Sequence, residues 1–453
     1  MTTTWHATHA WLPDGVAHDV TLVAEAGRFT SITVGERGTA ARDAPPIELP
    51  GVVLPGLANS HSHAFHRALR GRTHDEGGSF WTWRERMYAL AARLEPDAYR
   101  ALATATYAEM ALAGVTAVGE FHYLHHGPHG GYDEPNHMAT MLVEAARAAG
   151  IRLTLLDTCY LAGGLGPDGH LALDAVQQRF SDGDVEHWSR RFSGLVDQFD
   201  PTPARATSVR VGAAIHSVRA VRAADLPIVV AAAKGRPLHV HVSEQPAENA
   251  ACLSYYGVSP TALLGASGAL GPRTTVVHAT HVSPEDISLL SASGTLVCFC
   301  PTTERDLADG VGPARALLDA GCDLCLGSDQ HAVIDLLEEA RSLEMDERLV
   351  SGQRGRIGPA HLIDALTLVG QRSVGWDDAG ALRVGARADL VAVRLDSLRT
   401  AGSLASQVVM SASAADVDTV IVDGRTVVTG GRHVLGDVGG LLQSSIGTLW
   451  RTT

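Results

Sequence analysis

The stretch Leu54-Pro-Gly-Leu-Ala-Asn-Ser-His-Ser-His63 says most about the fold of this chain. It begins with apolar residues, contains a Pro-Gly pair and ends in a His-x-His motif. Because side chains at positions i and i+2 of a strand point to the same face, His61 and His63 are placed to hold one metal ion where a strand ends. The alternative is two histidines in a surface loop. Further ligands at other strand ends would favour the metal site.

Strand-like and helix-like segments alternate along the middle of the chain. Helical patterns fill most of the gaps, for example 98–113, 135–149, 220–234 and 312–320. The strand-like segments are 52–63, 117–123, 152–160, 209–218, 238–244, 274–281, 295–301 and 322–329. This alternation favours parallel βαβ units, and eight strands predict a closed (β/α)8 barrel. Residues 160–185, rich in Gly and Asp, are predicted to form a long loop on the catalytic face.

The two chain ends consist of short strand-like segments separated by turns. These segments are 5–11, 20–24 and 29–34 at the N-terminal end, and 388–394 and 417–428 at the C-terminal end. Neither set is large enough to fold alone, so together they are expected to make one small β-sandwich. The predicted fold class is therefore α/β, a TIM-like barrel over residues 51–378 with a sandwich built from residues 1–50 and 379–453.

Composition excludes several classes of protein. The 453 residues are 45% hydrophobic, which allows a large core, and the net charge of −14 without a basic cluster argues against nucleic acid as a partner. No apolar run approaches the roughly 20 residues of a membrane span, and the N-terminus lacks a signal-peptide pattern. The six cysteines show no disulfide framework, although Cys322 and Cys325 leave a redox or zinc-binding pair as an alternative. A reduced, cytoplasmic enzyme is expected.

Further imidazole and carboxylate groups stand at the ends of three more predicted strands. These ends are His239-Val-His-Val-Ser-Glu244, His278-Ala-Thr-His281 and Ser328-Asp-Gln-His331. In a (β/α)8 barrel the C-terminal ends of the strands meet at the catalytic face. Imidazole and carboxylate ligands suit zinc or Fe(II), so the pattern predicts a metal-dependent enzyme.

At these residues the sequence resembles the amidohydrolase superfamily, in its deaminase branch, over nearly the whole chain. The matching motifs are Pro55-Gly56 before His61-x-His63, then His241-x-x-Glu244, His278 and Ser328-Asp329. The resemblance implies that His61, His63, His241 and Asp329 bind one divalent metal, with zinc expected and Fe(II) as the alternative. It also implies that Glu244, His278 and Asp329 handle protons.

The chemistry that the resemblance implies is hydrolysis at a carbon that bears nitrogen. Bound zinc lowers the pKa of a water ligand from about 15.7 to about 7, so hydroxide would attack an sp² carbon. Asp329 and His278 would accept or steer the water proton, and Glu244 would carry a proton to the departing nitrogen.

A single metal ion is expected because binuclear members of the superfamily use a carboxylated lysine on strand 4. Lys234 is the only lysine of this chain and lies in a helix-to-strand connection, whereas the predicted strand 4 carries His216. Two other histidines, His239 and His281, lie near the predicted site residues. His239, two residues deeper in strand 5, is expected to pack behind the site, and His281 lies just beyond strand 6, where family position favours His278.

Other motifs resemble a narrower group within the superfamily, the N-formimino-L-glutamate deiminases of histidine breakdown. They are residues 65–70, Phe80-Trp-Thr-Trp-Arg84, Glu120-Phe-His-Tyr-Leu-His-His126 and His216-Ser-Val-Arg219. These enzymes convert formiminoglutamate and water to N-formylglutamate and ammonia, so the resemblance implies a small dicarboxylate substrate.

By the same resemblance, His216 and Arg219 would bind the glutamate portion of the substrate, since arginine offers a bidentate fork to a carboxylate. Tyr123 and Arg84 are weaker candidates, with loop packing as the alternative. His66 stands where glutamine is expected in the better-known members; it would hydrogen-bond the substrate and, if protonated, attract a carboxylate.

Two other functions compete with this one. An aminohydrolase of the same branch would act on a nucleobase or nucleoside of the guanine, cytosine or adenosine type, but a neutral purine has no carboxylate for a pocket arginine. A non-enzymatic scaffold should have lost metal ligands, and none is missing. Relatives with this fold are often dimers, so a homodimer is expected by analogy alone.

Overall fold

The computed structural model describes residues 2–35, 45–74, 80–128, 130–202 and 208–451, and the side chains of Phe80 and Trp81 lie outside the described part. The strands of the N-terminal half are β1 (Thr2–Leu12), β2 (Gly15–Glu25), β3 (Arg28–Val34), β4 (Ile47–Pro55), β5 (Leu57–Ser62), β6 (Val115–His122), β7 (Arg152–Cys159), β8 (Gly164–Gly166), β9 (Gly169–Leu171) and β10 (Val209–Ile215). Those of the C-terminal half are β11 (Leu238–Val242), β12 (Thr274–His278), β13 (Leu296–Phe299), β14 (Leu324–Leu326), β15 (Leu390–Val393), β16 (Val417–Val422), β17 (Arg425–Thr429) and β18 (Arg432–His433).

Helices cover most of the connections between the strands. They are α1 (Phe80–Ala91), α2 (Pro96–Leu112), α3 (His137–Ala149), α4 (Val185–Phe199), α5 (Leu226–Ala232), α6 (Pro246–Tyr256), α7 (Pro260–Ala266), α8 (Pro284–Ser293), α9 (Pro301–Asp306), α10 (Ala314–Asp319), α11 (Leu336–Ser351), α12 (Pro359–Leu366), α13 (Leu368–Ser373) and α14 (Val438–Trp450). Short 3₁₀ helices span Ala64–Leu69, Gln177–Phe180, Ala405–Met410 and Ala414–Asp416.

The predicted barrel is confirmed as an eight-stranded parallel sheet in the order β14-β13-β12-β11-β10-β7-β6-β5. Every residue of β6 and β7 is buried, as expected of parallel strands that are covered on both faces. A parallel bridge between Ser62 and Asp329 joins the first and last strands. The Asp329 N–H donates to the His61 carbonyl at 3.0 Å and the His63 N–H donates to the Asp329 carbonyl at 3.2 Å. These bonds close the barrel at the metal-ligand motif itself.

The two chain ends share one eight-stranded sheet, in the order β18-β17-β16-β15-β4-β1-β2-β3. Strand β4 pairs in parallel with β1 and antiparallel with β15, so it joins the N-terminal strands to the C-terminal ones. The sheet has an apolar core of its own that includes Trp5, Phe29 and Ile421. The expected small domain made from both ends is thus confirmed; the domain boundaries remain a prediction.

The first predicted strand, residues 52–63, is two strands in the structure. It breaks at Gly56, between β4 in the small sheet and β5 in the barrel. A Cβ at Gly56 would lie 2.5 Å from Thr116 Oγ1 and 2.7 Å from Asp389 Cβ. Only glycine allows so close an approach, so the Pro-Gly pair marks the passage between the two sheets.

The helix predicted over residues 220–234 is shorter than its pattern suggested. It occupies α5 alone, and turns precede it. Pro227 stands in the first turn of α5, and proline fits that position because it has no N–H to give to a preceding carbonyl. The predicted loop over 160–185 is confirmed as a long connection that holds the β8–β9 hairpin and one 3₁₀ turn.

All six cysteines are buried and free. Among the residues that the structure describes, no helix has the length and apolar character that crossing a bilayer requires.

A buried ion pair connects the barrel to the small domain. Arg152, at the start of β7, is fully buried and donates through Nη1 to Asp389 Oδ1 at 2.9 Å and through Nη2 to the other Asp389 oxygen. Its Nη1 also lies 3.3 Å from Asp423, and the guanidinium stands 5.1 Å from the centre of the Trp376 ring. Removing Arg152 would leave the buried Asp389 carboxylate without its cation.

We predict that Arg152→Met lowers the free energy of unfolding by about 3–5 kcal/mol, the usual result of breaking a buried pair from one side. The matched control is Arg273→Met, which removes an exposed pair with Asp377; it should cost at most about 1 kcal/mol. Urea unfolding followed by circular dichroism measures both changes. Equal, small losses for the two variants would contradict a structural role for Arg152.

Candidate metal centre and active site

The structure brings the four predicted metal ligands together at the C-terminal end of the barrel. His61 lies at the end of β5 and His63 directly follows that strand, His241 lies in β11 and Asp329 follows β14. One nitrogen or oxygen atom from each of the four lies within 4.8 Å of the others, and all four residues are buried. Asp329 Oδ1 is 3.4 Å from His61 Nε2 and 3.3 Å from His63 Nε2.

The three histidines turn their Nε2 atoms toward this common point. His63 Nδ1 is 2.9 Å from the Phe121 carbonyl, and His241 Nδ1 is 2.9 Å from the His216 carbonyl. A carbonyl accepts only from an N–H, so in both rings the proton sits on Nδ1 and Nε2 carries a lone pair. The Nε2 atoms of His61 and His241 are 3.0 Å apart. A cation between them would satisfy these lone pairs.

Electrostatics at the four residues also suits a metal ion. Burial lowers the pKa of His61 to about 3, and it lowers the pKa of His63 and of His241 as well. Burial opposes ionisation of Asp329, but the contact with His61 and the neighbouring histidines hold its pKa below the ordinary value. Three neutral imidazoles and one carboxylate form a donor set that fits zinc or Fe(II).

Behind the ligands, a buried glutamate holds the His61–His63 turn. Glu120, at the end of β6, accepts from Ser62 Oγ at 2.6 Å and from the Ala64 N–H at 2.7 Å. Burial raises the pKa of Glu120 to about 8, although both donors oppose that rise. Glu120 stands in the quoted motif that ends at His126 and near the end of β6, and these two signals could have indicated its role.

A second set of contacts ties the last strand to the first. Asn59 donates through Nδ2 to Ser328 Oγ at 2.7 Å and accepts from the Ser328 N–H at 3.0 Å. His331 bridges the same two strands, with Nδ1 2.9 Å from Ser328 Oγ and Nε2 3.2 Å from Ser62 Oγ. These bonds orient the segment that carries Asp329.

The predicted proton-handling residues lie next to the ligand group. His278, the last residue of β12, has Nε2 3.7 Å from Glu244 Oε1 and 3.9 Å from Asp329 Oδ2, and its Nδ1 is 3.4 Å from Glu304. Burial alone would favour the neutral ring, but the charge of Glu244 and the contact with Glu304 raise the pKa of His278 to about 10. Glu304, in α9, was not foreseen from the sequence because it comes from a helix after the seventh strand.

Five non-glycine residues of the strand-end motifs have left-handed backbone conformations: Ser243 (φ 50°), His278 (φ 72°), Ala279 (φ 48°), Asp329 (φ 41°) and His331 (φ 60°). Such conformations are unfavourable for residues with a Cβ and concentrate at functional sites. The surrounding hydrogen bonds hold them, which directs the side chains of the strand ends toward one centre.

Two other histidines of the strand-end motifs lie outside the ligand group. His239 is buried, and its Nε2 donates to the Ser373 carbonyl at 2.9 Å. His281 is half-buried and donates to the Asp309 carbonyl at 2.8 Å.

A cavity of about 330 Å³ opens beside the ligands and the proton-handling residues, and it contains all five predicted substrate-binding residues in its wall. Arg219 pairs with two glutamates: its Nη2 donates to Glu244 Oε2 at 3.2 Å and its Nε is 3.4 Å from Glu248 Oε2. The His216 ring packs against Tyr160, with 4.5 Å between ring centres. Glu248, in α6, is buried and was not foreseen from the sequence.

The other three predicted substrate-binding residues, His66, Tyr123 and Arg84, also line the cavity, and the Tyr123 ring lies 5.8 Å from that of His216. His66 Nε2 is 2.8 Å from the Tyr123 hydroxyl, and the His66 ring lies 5.2 Å from that of Trp83. Burial lowers the pKa of His66 well below its ordinary value, so the protonated form that would attract a carboxylate is disfavoured. Arg84, in α1, donates through Nε to the Tyr88 hydroxyl at 2.8 Å.

Comparison with known proteins agrees with this geometry. The family model described as the amidohydrolase family matches residues 52–427. The chain belongs to the amidohydrolase family. Membership confirms the expectation of a metal-dependent enzyme that hydrolyses C–N bonds, and it excludes the non-enzymatic scaffold.

Relatives of this amidohydrolase include a formimidoylglutamate deiminase from Pseudomonas aeruginosa, 36% identical over 94% of this chain and 95% of that protein. An 8-oxoguanine deaminase from the same organism is 30% identical over 82% of this chain and 81% of its own length. Among solved structures, an amidohydrolase from Brucella melitensis superposes with a TM-score of 0.89 at 33% identity and covers 99% of this chain and 100% of that one. The expected resemblance to the deiminase group is thus confirmed.

We predict that the purified amidohydrolase binds one divalent metal ion per chain and that His241→Ala loses most of it, because His241 presents Nε2 to the common point. The control is His239→Gln, a change in the same strand at a residue that bonds the Ser373 carbonyl instead; its metal content should equal that of the wild type. Elemental analysis of the dialysed proteins gives the stoichiometry. Two stoichiometric ions per chain, or metal loss on changing His239 alone, would contradict this ligand set.

Proposed function

We propose that this amidohydrolase is an N-formimino-L-glutamate deiminase, which hydrolyses N-formimino-L-glutamate to N-formyl-L-glutamate and ammonia. The observation that carries the proposal is the position of Arg219: its guanidinium lies in the cavity wall and contacts Glu244, beside the proton-handling group. A cation at this distance from the reacting groups suits a substrate with a carboxylate a few bonds from the formimino carbon. The similarity to the formimidoylglutamate deiminase from Pseudomonas aeruginosa supports the same substrate.

In this proposal His61, His63, His241 and Asp329 hold one divalent ion, zinc by preference and Fe(II) as the alternative. When bound, such an ion acts as a Lewis acid that makes water nucleophilic near neutral pH. The buried carboxylate and the three neutral imidazoles keep the site pre-formed, since their orientation depends on backbone carbonyls and on Asp329.

The reaction requires two protons to move from water to the departing nitrogen. The water oxygen bonds to the formimino carbon, the bond from that carbon to the terminal nitrogen breaks, and both water protons leave with ammonia. In this proposal Asp329 would accept the first proton, and His278, which the neighbouring carboxylates hold in the protonated form, would steer it. Glu244, 3.7 Å from His278 and 3.2 Å from Arg219, would carry protons to the nitrogen.

Arg219 would bind a substrate carboxylate while it keeps its contacts with the two glutamates. A guanidinium has five N–H donors, and Nε and Nη2 are the atoms that approach Glu248 and Glu244. The remaining donors suit a carboxylate, and arginine binds one in a bidentate manner. His216 lies beside this position and would contact the same portion of the substrate.

We further propose a cytoplasmic location and a homodimer. The six free, buried cysteines support a reducing compartment. The homodimer follows from fold analogy alone and is tested by the mass of the protein in solution.

The experiment for the substrate is an ammonia-release assay on N-formimino-L-glutamate beside guanine, 8-oxoguanine, adenosine and cytosine. We expect turnover of formiminoglutamate alone; turnover of a nucleobase or nucleoside instead would favour the second candidate, which the similarity to the 8-oxoguanine deaminase supports. Arg219→Met should lower kcat/KM for formiminoglutamate by about 10- to 150-fold, the value of a charged hydrogen bond.

Two analogues separate the roles of Arg219. The formimino derivative of 4-aminobutyrate lacks the α-carboxylate, and that of L-2-aminobutyrate lacks the side-chain carboxylate. Arg219→Met also removes a contact of Glu244, and this effect should lower kcat/KM equally for all three substrates. A further decrease in kcat/KM on the substrates that retain the carboxylate bound by Arg219 reports on carboxylate binding. The double variant Arg219→Met/Glu248→Gln removes one positive and one negative charge, so the pocket keeps the net charge of the wild type. Equal losses on all three substrates would contradict a carboxylate-binding role.

We predict that Glu244→Gln lowers kcat by about 100-fold or more, the typical contribution of a general acid–base residue. The amide is nearly isosteric, accepts the Arg219 bond and leaves the four ligands unchanged, so metal content should stay at the wild-type level. Steady-state kinetics and elemental analysis on the same sample test this. Activity at a tenth of wild type would exclude Glu244 as the proton carrier.

A further inference from the structure

The β8–β9 hairpin has no role in the site described so far. It belongs to the long loop after β7, and four residues of this segment line the cavity: Gly163, Gly164, Leu165 and Leu171. The Leu171 side chain also reaches solvent, since it is 56% exposed. The hairpin therefore lies at the mouth of the cavity, where it covers a bound ligand.

One side chain of the hairpin, His170 in β9, connects it to two other segments of the chain. Its Nδ1 lies 3.1 Å from the carbonyl of Arg219, after β10, and its Nε2 lies 2.8 Å from the hydroxyl of Tyr256, at the end of α6. The Tyr256 oxygen in turn accepts from the Ala223 N–H at 3.2 Å. Three segments that are far apart in sequence thus meet at one imidazole.

The acceptors determine the direction of these hydrogen bonds. A carbonyl accepts only from an N–H, so the His170 proton sits on Nδ1 and Nε2 carries a lone pair. The Tyr256 hydroxyl therefore donates to Nε2. Burial lowers the pKa of His170, which favours the neutral ring that both partners require.

The segments joined by His170 also form part of the active site. Arg219 has its guanidinium in the cavity wall beside Glu244, and His170 bonds the carbonyl of the same residue. The hairpin packs closely on α6, because a Cβ at Gly169 would lie 3.3 Å from the Tyr255 ring. With a φ of 124°, Gly169 has a conformation that favours glycine. The hairpin is thus shaped to lie against the cavity mouth.

We propose that His170 is a positioning residue that holds the β8–β9 hairpin closed over the substrate cavity. It acts through the Arg219 carbonyl and the Tyr256 hydroxyl rather than by contact with the substrate. A closed hairpin keeps water out of the cavity and slows the departure of a bound ligand. The substrate used in the test rests on the proposed function, and this inference adds to it the part of the chain that retains the substrate.

The kinetic test compares His170→Ala with the wild type on N-formimino-L-glutamate. KM should rise by about 2- to 12-fold, the net value of a neutral hydrogen bond, and kcat should not fall because the reacting groups keep their contacts. His170→Asn, whose amide N–H can still donate to the Arg219 carbonyl, should recover part of the change in KM. The control is Tyr255→Phe, which removes the hydroxyl of an exposed neighbour of Tyr256 and should match the wild type.

A double-mutant cycle tests whether His170 and Tyr256 act together. Tyr256→Phe removes the hydroxyl that donates to His170. Since the two residues share one hydrogen bond, the variant His170→Ala/Tyr256→Phe should raise KM by less than the product of the two single increases. Independent, multiplicative increases, or a His170→Ala enzyme that loses kcat at constant KM, would overturn the positioning role.

Hydrogen exchange followed by mass spectrometry observes the hairpin directly in the metal-loaded enzyme. Peptides that cover residues 163–172 should exchange faster in His170→Ala than in the wild type, whereas the barrel strands and the metal content should stay unchanged. Saturating N-formyl-L-glutamate should slow this exchange in the wild type and slow it less in the variant. Unchanged exchange in the hairpin, or faster exchange throughout the chain, would contradict the proposal.

The two kinds of measurement separate this inference from the proposed function. No ammonia from formiminoglutamate, with hairpin exchange that still depends on His170, refutes the proposed function alone. Turnover of formiminoglutamate by the wild type, with a KM and a hairpin exchange rate that His170→Ala leaves unchanged, refutes the role of His170 alone.

Discussion

The closure of the barrel between β5 and β14 is the constraint on which the active site depends. The Asp329 N–H bonds the His61 carbonyl, the His63 N–H bonds the Asp329 carbonyl, and the chain comes so close here that a Cβ at Gly327 would lie 2.7 Å from His61 Cβ. The backbone contact that closes the sheet thus sets the separation of three of the predicted metal ligands. A shift of one residue in this register would move a ligand to the opposite face of its strand.

Around this closure the buried charges alternate in sign. Glu304 faces His278, His278 faces Glu244, and Glu244 faces Arg219, which also approaches Glu248. Each buried charge has an opposite neighbour, which is the arrangement that makes burial tolerable. The same row brings His278 within 3.9 Å of Asp329 and Glu244 within 3.7 Å of His278, which is the arrangement that the proposed proton transfer requires.

The cavity gains its selectivity from segments outside the barrel strands. Helix α1 brings Arg84 and Tyr88, and the loop after β7 brings Leu165 and Leu171. In barrels of this type the strands hold the chemistry and the loops choose the substrate. The long loop after β7 fits that division, since residues of its hairpin line the cavity and none of them belongs to the predicted metal ligands.

Periodic patterning was enough to predict the barrel, the small domain formed by both chain ends, and the strand ends that bear the His and Asp ligands. These features are local: a strand followed by an imidazole or a carboxylate is visible in a few consecutive residues, and the barrel rule brings such ends together. Glu120, Glu304 and Glu248 lay beyond that reasoning, because each contacts a partner far away in sequence. Their roles depend on which strands become neighbours, on burial that raises the pKa of Glu120 to about 8, and on the direction of single hydrogen bonds. Only the folded chain determines these properties, because the distances between residues far apart in sequence and the desolvation of a side chain depend on tertiary packing.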